Sequence, residues 1–147
     1  MATTTLQDVI DIGRQDRFLA VVSTLRGDQT IQSSVVNAGV LAHPLHTQSV
    51  VGFVTNGKAK LANLRVRPQL SITFRAGWQW ATVEGRAELI GPDDVHPDVD
   101  ADGLRLLLRA VFVGAGGTHE DWEEFDRAMV EQRRTAVLVS PSKLYSN

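Results

Sequence analysis

The chain has 147 residues, of which 43% are hydrophobic and 22% are charged, and its formal net charge at pH 7 is −2. This length suits one domain with a single core, and the composition is that of a globular rather than a disordered chain. The slight negative charge argues against a nucleic-acid binder, which usually carries a basic excess. The absence of cysteine excludes disulfides, thiolate catalysis and cysteine-ligated metals.

The N-terminal residues 1–5 lack the basic-then-apolar layout of a signal peptide. No apolar run approaches the roughly 18 residues that a membrane span needs. We therefore expect a cytoplasmic protein that consists of one domain over residues 1–147.

The first half of the chain predicts one amphipathic helix, three strands and a second short helix. In chain order these elements lie at residues 6–15, 18–25, 31–36, 49–55 and 58–65. The first two strands are rich in β-branched residues and flank the polar turn at 26–29, which predicts a hairpin. A loop that contains Gly39, His43 and Pro44 leads to the third strand. The second helix should end before Pro68, because a residue that precedes proline avoids the helical region.

The second half predicts two more strands, two helices and a last strand. Its clearest segments are strands at 70–74, 78–89 and 135–139 and a helix at 104–113. Residues 75–77 should form a hairpin turn, and Gly85 should produce a bulge or bend in the long strand that contains it. The aspartate-rich segment 91–103 is predicted to be a solvated loop.

The helix at 104–113 is predicted from apolar residues that recur at helical spacing. A further helix should begin at Thr118, with Asp121 three residues later as a variant of the capping box. Its expected buried stripe consists of Trp122, Phe125 and Met129. Six or seven strands, most of them joined as hairpins, and three or four short helices predict an antiparallel α+β barrel that is mainly β.

The predicted helix at 58–65 begins with Lys58 and Lys60 in its first turn. Free N–H groups and a partial positive charge mark a helix N-terminus, which normally attracts acidic side chains rather than lysines. A bound phosphate would use both the N–H groups and the ammonium groups. The alternative is two solvated lysines on an exposed surface helix.

Two other segments suit either a ligand or ordinary packing. Strand alternation places Trp78 and Trp80 on one face and Gln79 on the other, which fits a flat aromatic ligand, a dimer interface or a barrel core. Ser33 and Ser34 are small residues within a strand. They would let a ligand approach the backbone closely, or they would simply form a polar edge.

The remaining candidate motifs are weaker. The glycine-rich segment 114–117 follows a helix rather than a strand, which favours a helix stop over a phosphate loop. His43 and His46 have no acidic partner nearby in sequence, which argues against a metal site. Arg133 and Arg134 either reach an acidic ligand or mark the C-terminus of a helix, where positive charge is favoured.

In their order and spacing these segments resemble the flavin/deazaflavin oxidoreductases of the pyridoxamine 5'-phosphate oxidase-like, FMN-binding split β-barrel family, specifically the F420-dependent B-type branch. The resemblance covers residues 17–145. Its markers are Ser33-Ser34-Val35, Lys58-Ala59-Lys60 with Asn63-Leu64 and Pro68, the strand from Gly77-Trp78 to Glu84-Gly85, and the segment from Trp122 through Met129-Val130 to Arg133-Arg134.

The resemblance implies a homodimeric split barrel with coenzyme F420 bound in clefts between the subunits. It implies cofactor contacts from Lys58, Ala59, Lys60 and Asn63 at the phosphate turn, Ser33, Ser34 and Val35 along the ring, Trp78 and Gln79 of the partner subunit, and Arg133 and Arg134 near the cofactor. The implied reaction is hydride transfer from reduced F420 to an electron-poor acceptor such as an enone or a quinone. We assign no catalytic side chain and no metal ligand.

Two departures separate the chain from the oxidase branch of this family. That branch has Ser-Arg-Lys at the phosphate turn, where this chain has Ala59-Lys60-Leu61, and it has a substrate-binding extension beyond the position of Asn147. The difference at the phosphate turn argues against FMN and against oxidation of pyridoxamine phosphate. The alternatives are an FMN-binding protein on the same barrel and a non-catalytic dimer that binds or carries a cofactor.

Overall fold

Residues 3–147, the part of the chain that the computed structural model describes, form six strands and four helices. The helices are α1 (Leu6–Gln15), α2 (Lys58–Val66), α3 (Ala101–Gly114) and α4 (Trp122–Glu131). The strands are β1 (Leu19–Leu25), β2 (Ile31–Ala42), β3 (Ser49–Thr55), β4 (Gln69–Ala76), β5 (Gln79–Ile90) and β6 (Thr135–Ser146). The prediction that residues 1–5 are not a signal peptide falls partly on Met1 and Ala2, which lie outside the described residues. None of the helices in residues 3–147 combines the length and the apolar character that crossing a membrane requires.

The six strands close into an antiparallel barrel in the order β1-β2-β3-β6-β5-β4, with β4 paired back onto β1. This confirms the antiparallel barrel predicted from the sequence. The expected irregularity at Gly85 is also present, since the register between β5 and β6 shifts between Glu84 and Gly85. A Cβ atom on Gly85 would lie 2.2 Å from the carbonyl oxygen of Ser140, so glycine is required at this bulge.

Side chains along each strand point alternately inward and outward, and the inward-facing ones fill the interior of the barrel. Its largest fully buried members include Val22, Val51, Phe53, Ile72, Phe74, Val83 and Val137. Helix α1 adds Val9 to the same core, and a capping box between Thr5 and Asp8 fixes the start of that helix.

A second apolar layer covers one outer side of the barrel. Leu107, Leu108 and Val111 of α3 and Phe125 of α4 pack on Val50, Ile90, Ala136 and Leu138. We call this outer surface of β3 and β6, together with the helices on it, the covered face. The end of α3 lies so close to β2 that a Cβ atom on Gly39 would be 2.1 Å from the carbonyl oxygen of Gly114.

A different outer surface carries exposed apolar side chains. Leu19 and Val21 of β1 and Ile31 and Val35 of β2 point away from the barrel interior. We call the surface formed by these four residues the open face. Val21 lies opposite Val35 of β2 on one side and opposite Thr73 of β4 on the other. The apolar surface therefore spans β1 and β2 and borders a threonine of β4.

Two predicted strands were too short. The predicted loop that begins before Gly39 is largely strand, because residues 38–42 pair with residues 49–53 of β3. The last strand continues from Val139 to Ser146, because its second half pairs with β5 beyond the bulge. In both segments the partner strand supplies the backbone hydrogen bonds, which local sequence patterns do not report.

One turn and two helix starts also differ from the prediction. The β4–β5 turn consists of Gly77, with φ of +62°, and Trp78, so Trp78 does not share a strand face with Trp80. Helix α3 begins at Ala101, inside the predicted loop, because Asp100 caps it. Helix α4 is capped by Asp121 and not by Thr118. An aspartate side chain accepts the N–H of a first-turn residue in each case.

Candidate functional site

The candidate site lies where the pairing between β2 and β3 stops. Residues 31–37 of β2 pair with β1 along one edge, whereas pairing with β3 begins only at Ala38 and Phe53. A cavity of about 530 Å³ lies beside the other edge and is bordered by Val35, Val36 and Asn37. Its size is typical of small-molecule sites.

The opposite wall of the cavity comes from the end of β3, from α2 and from the two helices of the covered face. The remaining lining residues include Val54, Thr55, Lys60, Val111, Phe112, His119, Glu124, Phe125, Met129 and Arg134. Cationic side chains and aromatic side chains therefore border one cavity, as a site for a ligand with a charged part and a flat part would require.

Helix α2 differs from the other three described helices at its N-terminus. Thr5, Asp100 and Asp121 provide side-chain caps for α1, α3 and α4, and each of those helices has an acidic residue in its first turn. Helix α2 begins after Gly57, has no side-chain cap and has no acidic residue in its first turn. The positive end of its dipole is therefore not compensated by a side chain of the helix itself.

Lys60 is the buried cation at this helix start, with a relative exposure of 6%. Its Nζ lies 3.5 Å from Thr55 Oγ1 and 5.7 Å from the centre of the Phe53 ring. Burial, and secondarily the positive charge of Arg134, lower the pKa of Lys60 below its ordinary value. Among residues 3–147, no carboxylate lies within ion-pair distance of Lys60.

The two predicted arginines have different surroundings. Arg133 forms an ion pair with Asp93 at 2.5 Å and lines a second cavity of about 350 Å³ between α3 and α4. Arg134 lines both cavities, and its Nε donates to the side-chain oxygen of Gln132 at 3.0 Å. Lys60 and Arg134 thus place two positive charges at one end of the larger cavity, which is an arrangement that favours an anion.

Of the predicted segment Ser33-Ser34-Val35, only Val35 is among the residues that line this cavity. Val35 has an exposure of 63% and lines it directly. Ser33 Oγ is paired with Ser23 Oγ at 2.9 Å. Ser34 Oγ is buried and has no hydrogen-bond partner among the described residues, although a buried hydroxyl normally has one.

The other predicted site residues lie apart from the cavity lining of this chain. Lys58 and Ala59 are exposed in the first turn of α2. Asn63 is buried, and its amide donates to Thr24 Oγ1 at 3.0 Å. Trp78, with an exposure of 93%, and Gln79 are exposed at the β4–β5 hairpin.

The aromatic end of the cavity was not predicted as part of a site. His119 lies 5.7 Å from Phe125, 6.0 Å from Trp122 and 6.5 Å from Phe112, measured between ring centres. His119 precedes α4 and Arg134 follows it, and ten helical residues span about 15 Å. The aromatic and cationic ends are therefore well separated along α4.

One of the two histidines near Pro44 has an acidic partner that is distant in sequence. His43 is buried, and its Nε2 lies 2.7 Å from Glu88 Oε1. Within residues 3–147, no group of three or more histidine, aspartate or glutamate side chains could hold a metal ion.

The sequence matches no family model. Solved structures that are similar over most of the chain include the following three. A conserved hypothetical protein from Mycobacterium tuberculosis is 17% identical with a TM-score of 0.68, covering 97% of this chain and 84% of that one. An F420 reductase is 15% identical with a TM-score of 0.56, covering 89% and 91%. A pyridoxamine 5'-phosphate oxidase-related, FMN-binding protein from Nostoc punctiforme is 15% identical with a TM-score of 0.61, covering 99% and 86%.

The chain has the split-barrel fold of these proteins. The similarity extends over barrel and helices together, because the matched shares include nearly all of residues 3–147. At these identities it concerns the fold, and the chemistry has to be argued from the site.

Proposed function

We propose that this protein is an F420-dependent oxidoreductase that works as a homodimer. It would transfer a hydride from reduced F420 to an electron-poor organic acceptor such as an enone or a quinone. The proposal depends mainly on Lys60, a buried cation next to Arg134 that has no carboxylate partner among the described residues. Two positive charges at the edge of a cavity would be stabilised by a bound anion, and the phosphate of a phosphorylated coenzyme is such an anion.

The residues at the cavity fit such a coenzyme at both of its parts. Lys60 and Arg134 would hold the phosphate, with Lys58 near the same helix start. The edge of β2 at Val35, which lines the cavity, would carry the ring, with Ser33 and Ser34 as its neighbours along the strand. When bound, a deazaflavin supplies a two-electron hydride donor.

The part of the protein in this reaction is to bind, orient and exclude water. Val54, Val111 and Met129 give the cavity an apolar lining, which would help to keep water away from a bound ring. Solvent can deliver the proton that completes the reduction, so no dedicated acid is assigned.

The homodimer would form through the open face, which leaves Val21 and Val35 exposed in one chain. Val35 belongs both to this face and to the cavity lining, so a partner on the open face would lie against the cavity. In this arrangement we propose that Trp78 and Gln79 of the partner subunit complete the cofactor site. This accounts for a fully exposed tryptophan at a hairpin turn.

F420 is proposed over FMN because the phosphate turn has Ala59-Lys60-Leu61 in place of the Ser-Arg-Lys of the oxidase branch. Solved structures with the same fold include an F420 reductase and an FMN-binding protein, so the barrel itself is compatible with either. The FMN-binding protein and the non-catalytic carrier are therefore the outcomes against which the proposal is tested.

The test is a fluorescence titration of the purified protein with F420 and, separately, with FMN. We expect saturable binding of F420 that is tighter than binding of FMN. Lys60→Met, which keeps an unbranched side chain and removes the charge, should weaken F420 binding about 10-fold to 100-fold, since a charge-assisted hydrogen bond contributes about 1.5–3 kcal/mol. Lys143→Met, at an exposed lysine of β6 that does not line the cavity, is the matched control and should leave F420 affinity unchanged.

Turnover then separates an enzyme from a carrier. Reduced F420 should be consumed when 2-cyclohexen-1-one or a quinone is added, and a carrier would bind F420 without consuming it. Preferential binding of FMN would refute the cofactor assignment. Unchanged F420 affinity in Lys60→Met, with the protein still folded, would refute the phosphate site.

A further inference from the structure

Three histidines of this chain form the same local turn. In each of them Nδ1 accepts a backbone N–H from the residue two positions later, at 3.0–3.1 Å: Leu45 to His43, Asp98 to His96, and Asp121 to His119. A backbone N–H can only donate, so Nδ1 of each ring is the acceptor. The neutral ring then carries its proton on Nε2, which is available as a hydrogen-bond donor.

The three rings differ in what Nε2 faces. His43 and His96 both direct it towards Glu88, at 2.7 Å and 3.8 Å from the two carboxylate oxygens. His119 Nε2 has no hydrogen-bond partner among the described residues, and its residue lines the larger cavity. Nε2 is also not among the buried polar atoms that lack a partner, so it is accessible from the cavity or from solvent.

The His119 ring is held in this position on several sides. Phe112, Trp122 and Phe125 surround it, and the bond from the Asp121 N–H fixes its rotation. Asp121 is in turn the cap of α4, so the turn that orients the imidazole is part of the helix start. Glu124 also lines this cavity, but an ionised carboxylate can only accept hydrogen bonds.

We propose that His119 Nε2–H donates a hydrogen bond to an acceptor oxygen of the substrate at the aromatic end of the cavity. This inference rests on the proposed function and specifies its substrate class: planar conjugated carbonyl compounds, whose oxygen pairs with the donor and whose flat part contacts the aromatic side chains. A substrate that offers only a hydroxyl or amine hydrogen at this point would leave the donor unpaired.

In the reaction this hydrogen bond would stabilise the charge that develops on the substrate. A C–H bond forms at the β-carbon with the hydride from reduced F420, which is thereby oxidised, and the C=C π bond breaks. The electron pair moves through the conjugated system to the carbonyl oxygen, which becomes an enolate oxygen facing His119 Nε2–H. Water then supplies the proton at the α-carbon and completes the reduction.

Two substitutions separate the roles of the two ring nitrogens. In His119→Asn the amide oxygen can replace Nδ1 as the acceptor of the Asp121 N–H, while the Nε2 donor is lost. In His119→Gln an amide N–H can reach the position of Nε2. We expect kcat/KM for 2-cyclohexen-1-one to fall about 100-fold in His119→Asn and to remain within about 10-fold of wild type in His119→Gln. F420 affinity should be unchanged in both.

A second measurement does not require turnover. Imidazole ¹⁵N NMR of the wild-type protein should show His119 as the Nε2–H tautomer, and 2-cyclohexen-1-one should shift its Nε2–H signal whereas cyclohexene, which lacks the oxygen, should not. Equal shifts from both compounds, or no shift, would overturn the proposal. So would a His119→Asn variant with wild-type kcat/KM, or equal losses in both variants. Failure of the wild-type protein to bind F420 would instead overturn the proposed function, which the titration detects separately.

Discussion

The covered face and the open face are outer surfaces of the same barrel, but helices bury the apolar side chains of only the first. On the covered face, α3 and α4 bury Val50, Ala136 and Leu138 under a second apolar layer. On the open face, Val21 and Val35 remain exposed on strands whose inward side chains are buried in β1 and half-buried in this part of β2. The chain thus supplies its own covering on one side only.

The cavity lies between these two surfaces and takes residues from both. Phe125 and Met129 belong to the covering helices, whereas Val35 belongs to the open face. A site at this border has one wall that each chain completes by itself and one wall that a second chain could complete. The comparison therefore predicts different consequences for substitutions on the two faces.

The largest expected effect is dissociation of the proposed homodimer by Val21→Asp. An uncompensated buried carboxylate costs about 3–5 kcal/mol, and a two-fold interface contains it twice. The dissociation constant should rise by more than about a thousandfold. Sedimentation velocity should show the mass of two chains for wild type and of one chain for the variant.

Val95→Asp provides the control for this experiment, because Val95 is also exposed but lies in the loop that precedes α3. It should leave the dimer intact. If Val21→Asp remains a dimer, the open face is not the interface, and the proposal that a partner subunit completes the cavity there is wrong.

The next effect in size is loss of stability on the covered face. Phe125 is buried in the second core, and truncating a buried phenylalanine to alanine costs about 3–5 kcal/mol. Val130→Ala, on the exposed side of the same helix, should cost a small fraction of that. Urea unfolding of both variants gives the two free energies. Similar values would mean that α4 does not pack on the barrel as described.

Much of the fold was predictable because local patterns determine it. β-Branched runs around a polar turn predicted the β1–β2 hairpin, and helical spacing of apolar residues predicted α1 and α3. The extent of β2 and β6 was not predictable from such patterns. Residues 38–42 and 140–146 become strand through pairing with segments that are distant in sequence.

The site was predictable in part for the same reason. An unusual helix start with two lysines could be recognised from sequence, and the structure places one of them, Lys60, in the cavity lining. Which lysine would be buried depends on the ring of Phe53 and on Thr55, which reach it only after the barrel closes. His119 carried a weak local signal, a histidine two residues before an aspartate cap, whose meaning depends on the cavity beside it.

The smallest expected effect concerns the ion pairs that join α3 to α4 on the covered face. The hydrogen bonds from Arg109, together with the positive charges of Arg109 and Arg105, hold the pKa of Asp126 below its ordinary value. A carboxylate with a lowered folded-state pKa contributes stability that is present above its unfolded pKa, near 3.8, and is lost as the pH falls through the folded value. Asp126→Asn should therefore lower the free energy of unfolding at pH 7 by only a fraction of the Phe125→Ala loss, and the difference from wild type should narrow as the pH falls below about 4. Urea unfolding at pH 7, 5 and 3.5 measures this, with Glu120→Gln as an exposed carboxylate control. A difference that is the same at all three pH values would show that Asp126 stabilises the helix pair by packing, and that charge contributes nothing to the way the covering helices are held together.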